Sequence, residues 1–170
     1  MDEFIKLNIA VLTVSDTRNE ANDTSGAALV ACIENATHHV IDKKIVTDNI
    51  YHIRAIVSAW IVDERINVIL TTGGTGVTGR DGTPEAIMPL LDKQLEGFGE
   101  MFRSLSYAQI KTSTMQSRAL AGVANSTYLF CLPGSTSACR LGWESLIQAQ
   151  LDSRTRPCNL VQLMPRLLEK

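Results

Sequence analysis

The chain has 170 residues and a formal net charge of −2. That length suits one domain able to bury about 68–70% of its unfolded surface, and the near-balanced charge excludes a global basic field for nucleic acid. No apolar run reaches the roughly 18 residues of a membrane span, and Met1-Asp2-Glu3-Phe4 is acidic where an export signal would be basic, so a cytoplasmic protein is expected.

Leu7–Val14 reads as a buried first strand, and Ser25–Asn35 as a helix with Thr24 or Ser25 as its cap. His39–Val46 is a second strand, polar enough for a place near an edge. Tyr51–Val62 is a helix burying Ile53, Ile56, Val57 and Trp60, and Val68–Thr72 is the third strand. A loop with five of the eleven glycines follows, from Gly73 to Gly82; Thr83 is the expected cap and Pro84 the first residue of a short helix to Asp92. Phe98–Tyr107 has helical spacing. Ala119–Ala124 and Thr127–Leu132 read as strands joined at Asn125-Ser126. Ser137–Leu151 closes the body as a helix, and a tail begins at about residue 152. Strands alternating with helices predict an α/β domain, mostly parallel and covered on both faces. No linker divides it, so residues 1–170 are taken as one domain.

In such sheets ligands bind beyond the carboxyl ends of the strands. That rule selects four loops. They hold Ser15, Asp16 and Arg18 with Ser25-Gly26; Thr47-Asp48; the glycine loop with Arg80-Asp81; and Pro133-Gly134-Ser135-Thr136-Ser137. A glycine loop before a helix start presents N–H groups to an anion, phosphate above all. Gly74, Gly76 and Gly79 match the dinucleotide pattern, but they follow the third strand and the helix opens only at Pro84. Gly74 and Gly79 also have P-loop spacing, with Arg80-Asp81 where Lys-Ser/Thr belongs. A carboxylate beside a phosphate cradle repels its ligand unless a cation lies between them. Asp81 and Asp48 therefore suit Mg²⁺, which one or two carboxylates hold together with phosphates and water. The competing assignment makes each of them a turn residue, before Gly82 and Asn49. Arg80 either neutralises transition-state charge or is a solvated loop cation.

Thr71-Thr72-Gly73-Gly74-Thr75-Gly76, Arg80-Asp81 and Thr83-Pro84-Glu85-Ala86 resemble the signature of the MogA/MoaB family, which includes molybdopterin adenylyltransferases and the gephyrin G domain. Leu12-Thr13-Val14-Ser15-Asp16, Asp23-Thr24-Ser25-Gly26, Gly97-Phe98-Gly99-Glu100 and Leu132-Pro133-Gly134-Ser135 match in order, and the ending Leu151–Asn159 is similar to the MoaB branch. The resemblance implies a three-layer α/β/α fold of the molybdopterin-binding type and a trimer or hexamer, with a molybdenum insertase as a further partner. It implies Mg²⁺-dependent transfer of AMP from ATP to molybdopterin with release of pyrophosphate, or else a non-catalytic binding scaffold in the same pathway.

On the enzymatic reading Asp48, Asp81 and Arg80 are catalytic, and Asp48 and Asp81 hold the metal. Gly73, Gly74, Thr75 and Gly76, with Ser15, Ser25 and Gly26, bind the nucleotide phosphates; Pro133, Gly134, Ser135 and Ser137 hold the pterin or its phosphate. The attacking phosphate is already anionic, so positioning and charge neutralisation would carry most of the rate.

Other residues have plainer roles. Cys32, Cys131, Cys139 and Cys158 lack metal spacing and are read as reduced thiols. His38, His39 and His52 are taken as surface residues, and Trp60 and Trp143 as core anchors. Phe98, Met101 and Phe102 are core or subunit contacts. Glu100 and Arg103 pair at i,i+3, and Arg154 and Arg156 either cross a subunit interface, rim the cleft or lie in a solvated tail.

Overall fold

The computed structural model describes residues 3–169; Met1 and Asp2, half of the acidic start, lie outside the described residues. In chain order the elements are β1 (Asn8–Val14), α1 (Thr24–Asn35), β2 (His39–Val46), α2 (Ile50–Ile61), β3 (Val68–Thr72), α3 (Thr83–Ile87), β4 (Lys93–Gln94), α4 (Glu96–Ile110), β5 (Leu120–Ala124), β6 (Thr127–Leu132), α5 (Thr136–Gly142) and α6 (Gln148–Leu151). A π-helical stretch, Trp143–Ile147, joins α5 to α6, and the tail carries a 3₁₀ segment, Val161–Arg166.

The six strands lie in the order β2-β1-β3-β6-β5-β4. The first four run parallel. β5 runs antiparallel to β6, and β4 antiparallel to β5. The reversal occurs at Asn125-Ser126, both at positive φ (45° and 67°), as a tight two-residue hairpin requires. β2 is an edge strand, as its polar sequence predicts. β4 is the other edge, and its two residues are too few to display a period.

Alternation along each strand divides the core into two layers. Ile9 and Val11 of β1 and Phe130 and Leu132 of β6 pack with Leu29, Phe102 and Trp143 on one face. Ala10, Leu12, Leu129 and Cys131 pack with Ile53, Val57 and Trp60 on the other. Helices thus cover both faces. Among the described residues no helix is long and apolar enough to cross a membrane.

Several local expectations need correction. α1 is capped by Asp23, not Thr24 or Ser25: the carboxylate accepts the Gly26 N–H at 2.9 Å. Asp23 is buried and held by Thr13 Oγ1 at 2.9 Å and Lys43 Nζ at 3.1 Å, so it is already fixed where the helix starts. Thr83 does not cap α3, because its hydroxyl donates to Gly73 O at 2.8 Å. α3 ends at Ile87, because Pro89 has no N–H to continue its hydrogen bonding, and the chain passes into a short 3₁₀ turn over Met88–Leu90. Arg103 does not turn to Glu100; it donates to Ala119 O at 3.1 Å.

His38 is buried, not a surface residue. Its Nδ1 accepts the Leu7 N–H at 3.2 Å, and its ring lies 5.0 Å from that of Phe4. Burial holds its pKa below the ordinary histidine value. A depressed folded pKa makes its stabilisation complete above the ordinary value and lost as pH falls through the folded one. Protonation would also replace the acceptor of the Leu7 bond by a donor. Unfolding midpoints should therefore drop between neutral and mildly acidic pH, and His38→Gln, which keeps an acceptor without a titrating group, should flatten that drop. Equal pH dependence in both proteins would refute it.

Candidate active site

The carboxyl edge of the parallel strands opens into a cleft of about 410 Å³, within the range of small-molecule sites. Three of the four selected loops line it. The first gives Ser15 and Arg18, with Ser25 from the start of α1. The second gives Gly73, Gly74, Thr75, Gly76 and Asp81. The third gives Pro133 and Gly134.

Gly73 leaves β3 at φ 102°, followed by Gly74 at φ 66°. The Gly73 N–H donates to Leu132 O at 3.0 Å, which binds the loop to the end of β6. Thr83, fully buried, folds the other end of the loop back: its N–H donates to Gly74 O at 3.0 Å, and its hydroxyl to Gly73 O. The backbone is thereby turned twice within two residues, which L side chains would resist.

The two predicted metal carboxylates flank this turn. A Cβ on Gly74 would stand 3.2 Å from Asp48 Oδ2, and one on Gly76 2.7 Å from Asp81 Oδ2. Asp81 Oδ2 accepts the Thr78 hydroxyl at 2.6 Å and the Thr78 N–H at 2.9 Å. These bonds, the hydroxyl foremost, hold its pKa below the ordinary carboxylate value. Asp48 is half-buried, and its Oδ1 accepts the Gly82 N–H at 3.3 Å. Burial, then the charges of Asp81 and Asp16, push its pKa up. The site thus holds like charges that a cation would relieve. Among the described residues no group of three or more His, Cys, Asp or Glu could hold a metal. Two carboxylates completed by ligand phosphates and water are the donor set Mg²⁺ commonly takes, so the residues present fit that ion.

Other predicted residues are placed differently. Arg80 is exposed and donates from Nε and Nη2 to Asp16 Oδ2, at 2.9 and 2.5 Å, instead of lining the cleft. Asp16 Oδ1 accepts the Asp48 N–H at 3.0 Å, so Asp16 ties its own loop and the Thr47-Asp48 loop to Arg80 of the glycine loop. Gly26 lies in the first turn of α1, where a Cβ would meet Asp23 Oδ2 at 2.1 Å; it shapes the cap and does not line the cleft. Ser135 caps α5 by accepting the Ala138 N–H at 3.2 Å, with the Ser137 hydroxyl 3.4 Å away. Neither serine lines the cleft.

Gln116 and Ser117 line the cleft and were not foreseen. The Ser117 hydroxyl is buried with no hydrogen-bond partner. The carboxyl-end rule misses them because β5 runs antiparallel: Leu120 at its start pairs with Cys131 near the end of β6, which puts the segment entering β5 at the cleft edge. An unexplained polar run before an apolar strand, Gln116-Ser117-Arg118, is the sequence signal that could have found them.

Residues 10–153 match the family described as "Probable molybdopterin binding domain". The chain is 59% identical over 157 residues to Molybdenum cofactor biosynthesis protein B of Escherichia coli K12, covering 92% of each. It is 44% identical over 142 residues to the protein of that name from Bacillus subtilis 168, covering 83% of this chain and 84% of that one. A crystal structure of Molybdenum cofactor biosynthesis protein B superimposes with a TM-score of 0.84 at 42% identity, over 86% of this chain and 92% of that one. The tungsten cofactor synthesizing protein MoaB of Pyrococcus furiosus superimposes with a TM-score of 0.73 at 34% identity, over 84% and 91%. The family match over residues 10–153, the identities to these relatives and the shared fold show that this chain belongs to the molybdenum cofactor biosynthesis protein B family.

Proposed function

We propose that this protein transfers AMP from ATP to the terminal phosphate of molybdopterin and releases pyrophosphate. The observation that carries this reading is a cleft of ligand size lined by the glycine loop and Asp81, with Asp48, which does not itself line the cleft, standing against Gly74 of that loop. Mg²⁺ held by the two carboxylates would supply charge neutralisation for the phosphates. Gly73 spends its N–H on Leu132 O, and the Gly76 N–H faces Asp81, so the cradle's donors are those of Gly74 and Thr75. Ser15 and Ser25 present hydroxyls from the first loop and α1, and Pro133 and Gly134 complete the lining beside Gly73. A molybdopterin phosphate oxygen attacks the α-phosphorus, the bond to the bridging oxygen breaks, and its electron pair leaves with pyrophosphate. No side chain need remove a proton, so the protein's work is alignment and electrostatics.

A binding scaffold is the second reading. It is favoured by Arg80, whose guanidinium is engaged by Asp16 outside the cleft. Purified protein given molybdopterin and MgATP decides between the two. Adenylylated molybdopterin and pyrophosphate, abolished by chelation, are expected; both ligands bound without product would establish the scaffold.

The remaining parts of the reading concern assembly. α4 leaves Met101 57% and Leu105 38% exposed, beside an apolar hollow lined by Phe98, Phe130 and Leu146. A face of that kind suits the contact of a homotrimer, or of a hexamer built from two. A cytoplasmic location and hand-over of product to a molybdenum insertase complete it.

A further inference from the structure

Arg118 stands 42 residues beyond Gly76 in the chain, yet its donors converge on the glycine loop. Its backbone N–H donates to Thr75 O at 3.1 Å. Nε donates to Gly76 O and Nη2 to Asp81 O, each at 2.7 Å. Nη1 pairs with the Glu85 carboxylate on the first turn of α3. One guanidinium therefore joins both ends of the stretch from Gly76 to Asp81 and anchors it to a helix. Between those ends the loop's other ties are the exposed Arg80–Asp16 pair and the bonds between Thr78 and Asp81; Val77 is 66% exposed, and a Cβ on Gly79 would meet nothing within 4 Å. Arg118 does not line the cleft. It lines a separate hollow behind the loop that Asp81 also borders.

We propose that Arg118 is the positioning residue of the site: by clamping Gly76 O and Asp81 O from behind, it sets where the Asp81 carboxylate and the loop N–H groups stand toward a cation–phosphate ligand. The clause about the ligand rests on the function proposed above; the loop-closing clause does not. The planar fork is essential, because it reaches two carbonyls and a carboxylate at once, whereas an ammonium is a point charge on a flexible stem.

The test uses the full chain with Arg118→Ala and Arg118→Lys. Amide hydrogen exchange is followed residue by residue, and Mn²⁺ binding in the presence of ATP is followed by electron paramagnetic resonance. In Arg118→Ala, exchange across residues 74–82 should rise at least about tenfold while β1 and β3 keep their protection, and Mn²⁺ affinity should fall at least about tenfold, since one charge-assisted hydrogen bond is worth roughly that much and the variant loses three such contacts. Arg118→Lys should retain little of either property, and it carries both measurements if the alanine variant does not fold. Unchanged exchange across 74–82 would overturn the clamp. Raised exchange with unmoved Mn²⁺ affinity would reduce Arg118 to a structural residue, and full rescue by lysine would make charge, not geometry, the cause. Failure of the wild-type protein to bind Mn²⁺ with ATP would sink the proposed function and the ligand clause together, while exchange would still decide the loop-closing clause.

Discussion

Asp81→Asn is expected to abolish the Mg²⁺-dependent adenylylation proposed for this protein while leaving the fold intact. Asparagine matches the aspartate in shape and keeps an oxygen to accept the Thr78 N–H and hydroxyl, so the turn should survive. What it removes is one full negative charge beside Gly76. Asp81 is an ionised group at neutral pH, since the Thr78 hydroxyl and N–H hold its pKa below the ordinary value. Its loss should lower kcat/KM by at least about 10²-fold, the size seen when one group stabilising transition-state charge is deleted. Stability should change by no more than about 1 kcal/mol, because the two Thr78 hydrogen bonds are retained and only the Gly76 N–H contact is put at risk. Product formation at saturating MgATP and thermal unfolding are the measurements. Turnover at the wild-type rate would remove Asp81 from the metal site.

The second large effect separates two glycines of one loop. Gly73 sits at φ 102°, and a Cβ there would lie 2.2 Å from Val14 O, a backbone atom that cannot swing aside. Gly73→Ala should cost roughly 1–2 kcal/mol in backbone strain and a further ~1–3 kcal/mol in overpacking. It would also push the loop away from the end of β1, opening the Gly73–Leu132 bond on which the cleft floor depends. Gly79→Ala meets open space and should change stability by no more than about 0.5 kcal/mol. Denaturant unfolding of both variants, with nucleotide binding measured alongside, checks the contrast; equal destabilisation would refute it.

The two glycines show where sequence reasoning stopped. Both belong to one Gly-rich run, and composition treats them alike. Their difference comes from β1, whose final carbonyl reaches under Gly73 and not under Gly79. The same limit applies to the polar residues. Ser15, Ser25, Asp81, Pro133 and Gly134 were found because a local rule, loops at the carboxyl ends of parallel strands, places them at the cleft. Arg118, Gln116 and Ser117 obey no such rule, since they enter an antiparallel strand whose direction depends on a hairpin. Arg80 had the right address and the wrong direction: its nearest carboxylate, Asp16, is 64 residues away in the chain.

The chain's own letters determined the alternating strands and helices, the two-layered core and the loop that makes the site, because side-chain periodicity and glycine freedom are local properties. His38 went from an assumed surface position to a buried one through contacts with Leu7, Phe4 and Trp143, which only folding brings together. The cap of α1 moved to Asp23 because Thr13 and Lys43, on two different strands, hold that carboxylate in place. Tertiary structure alone decided which charges face one another: Asp48 with Asp81, Arg80 with Asp16, and Arg118 with Glu85. Such pairings depend on distance in space, and distance along the chain carries almost no record of it.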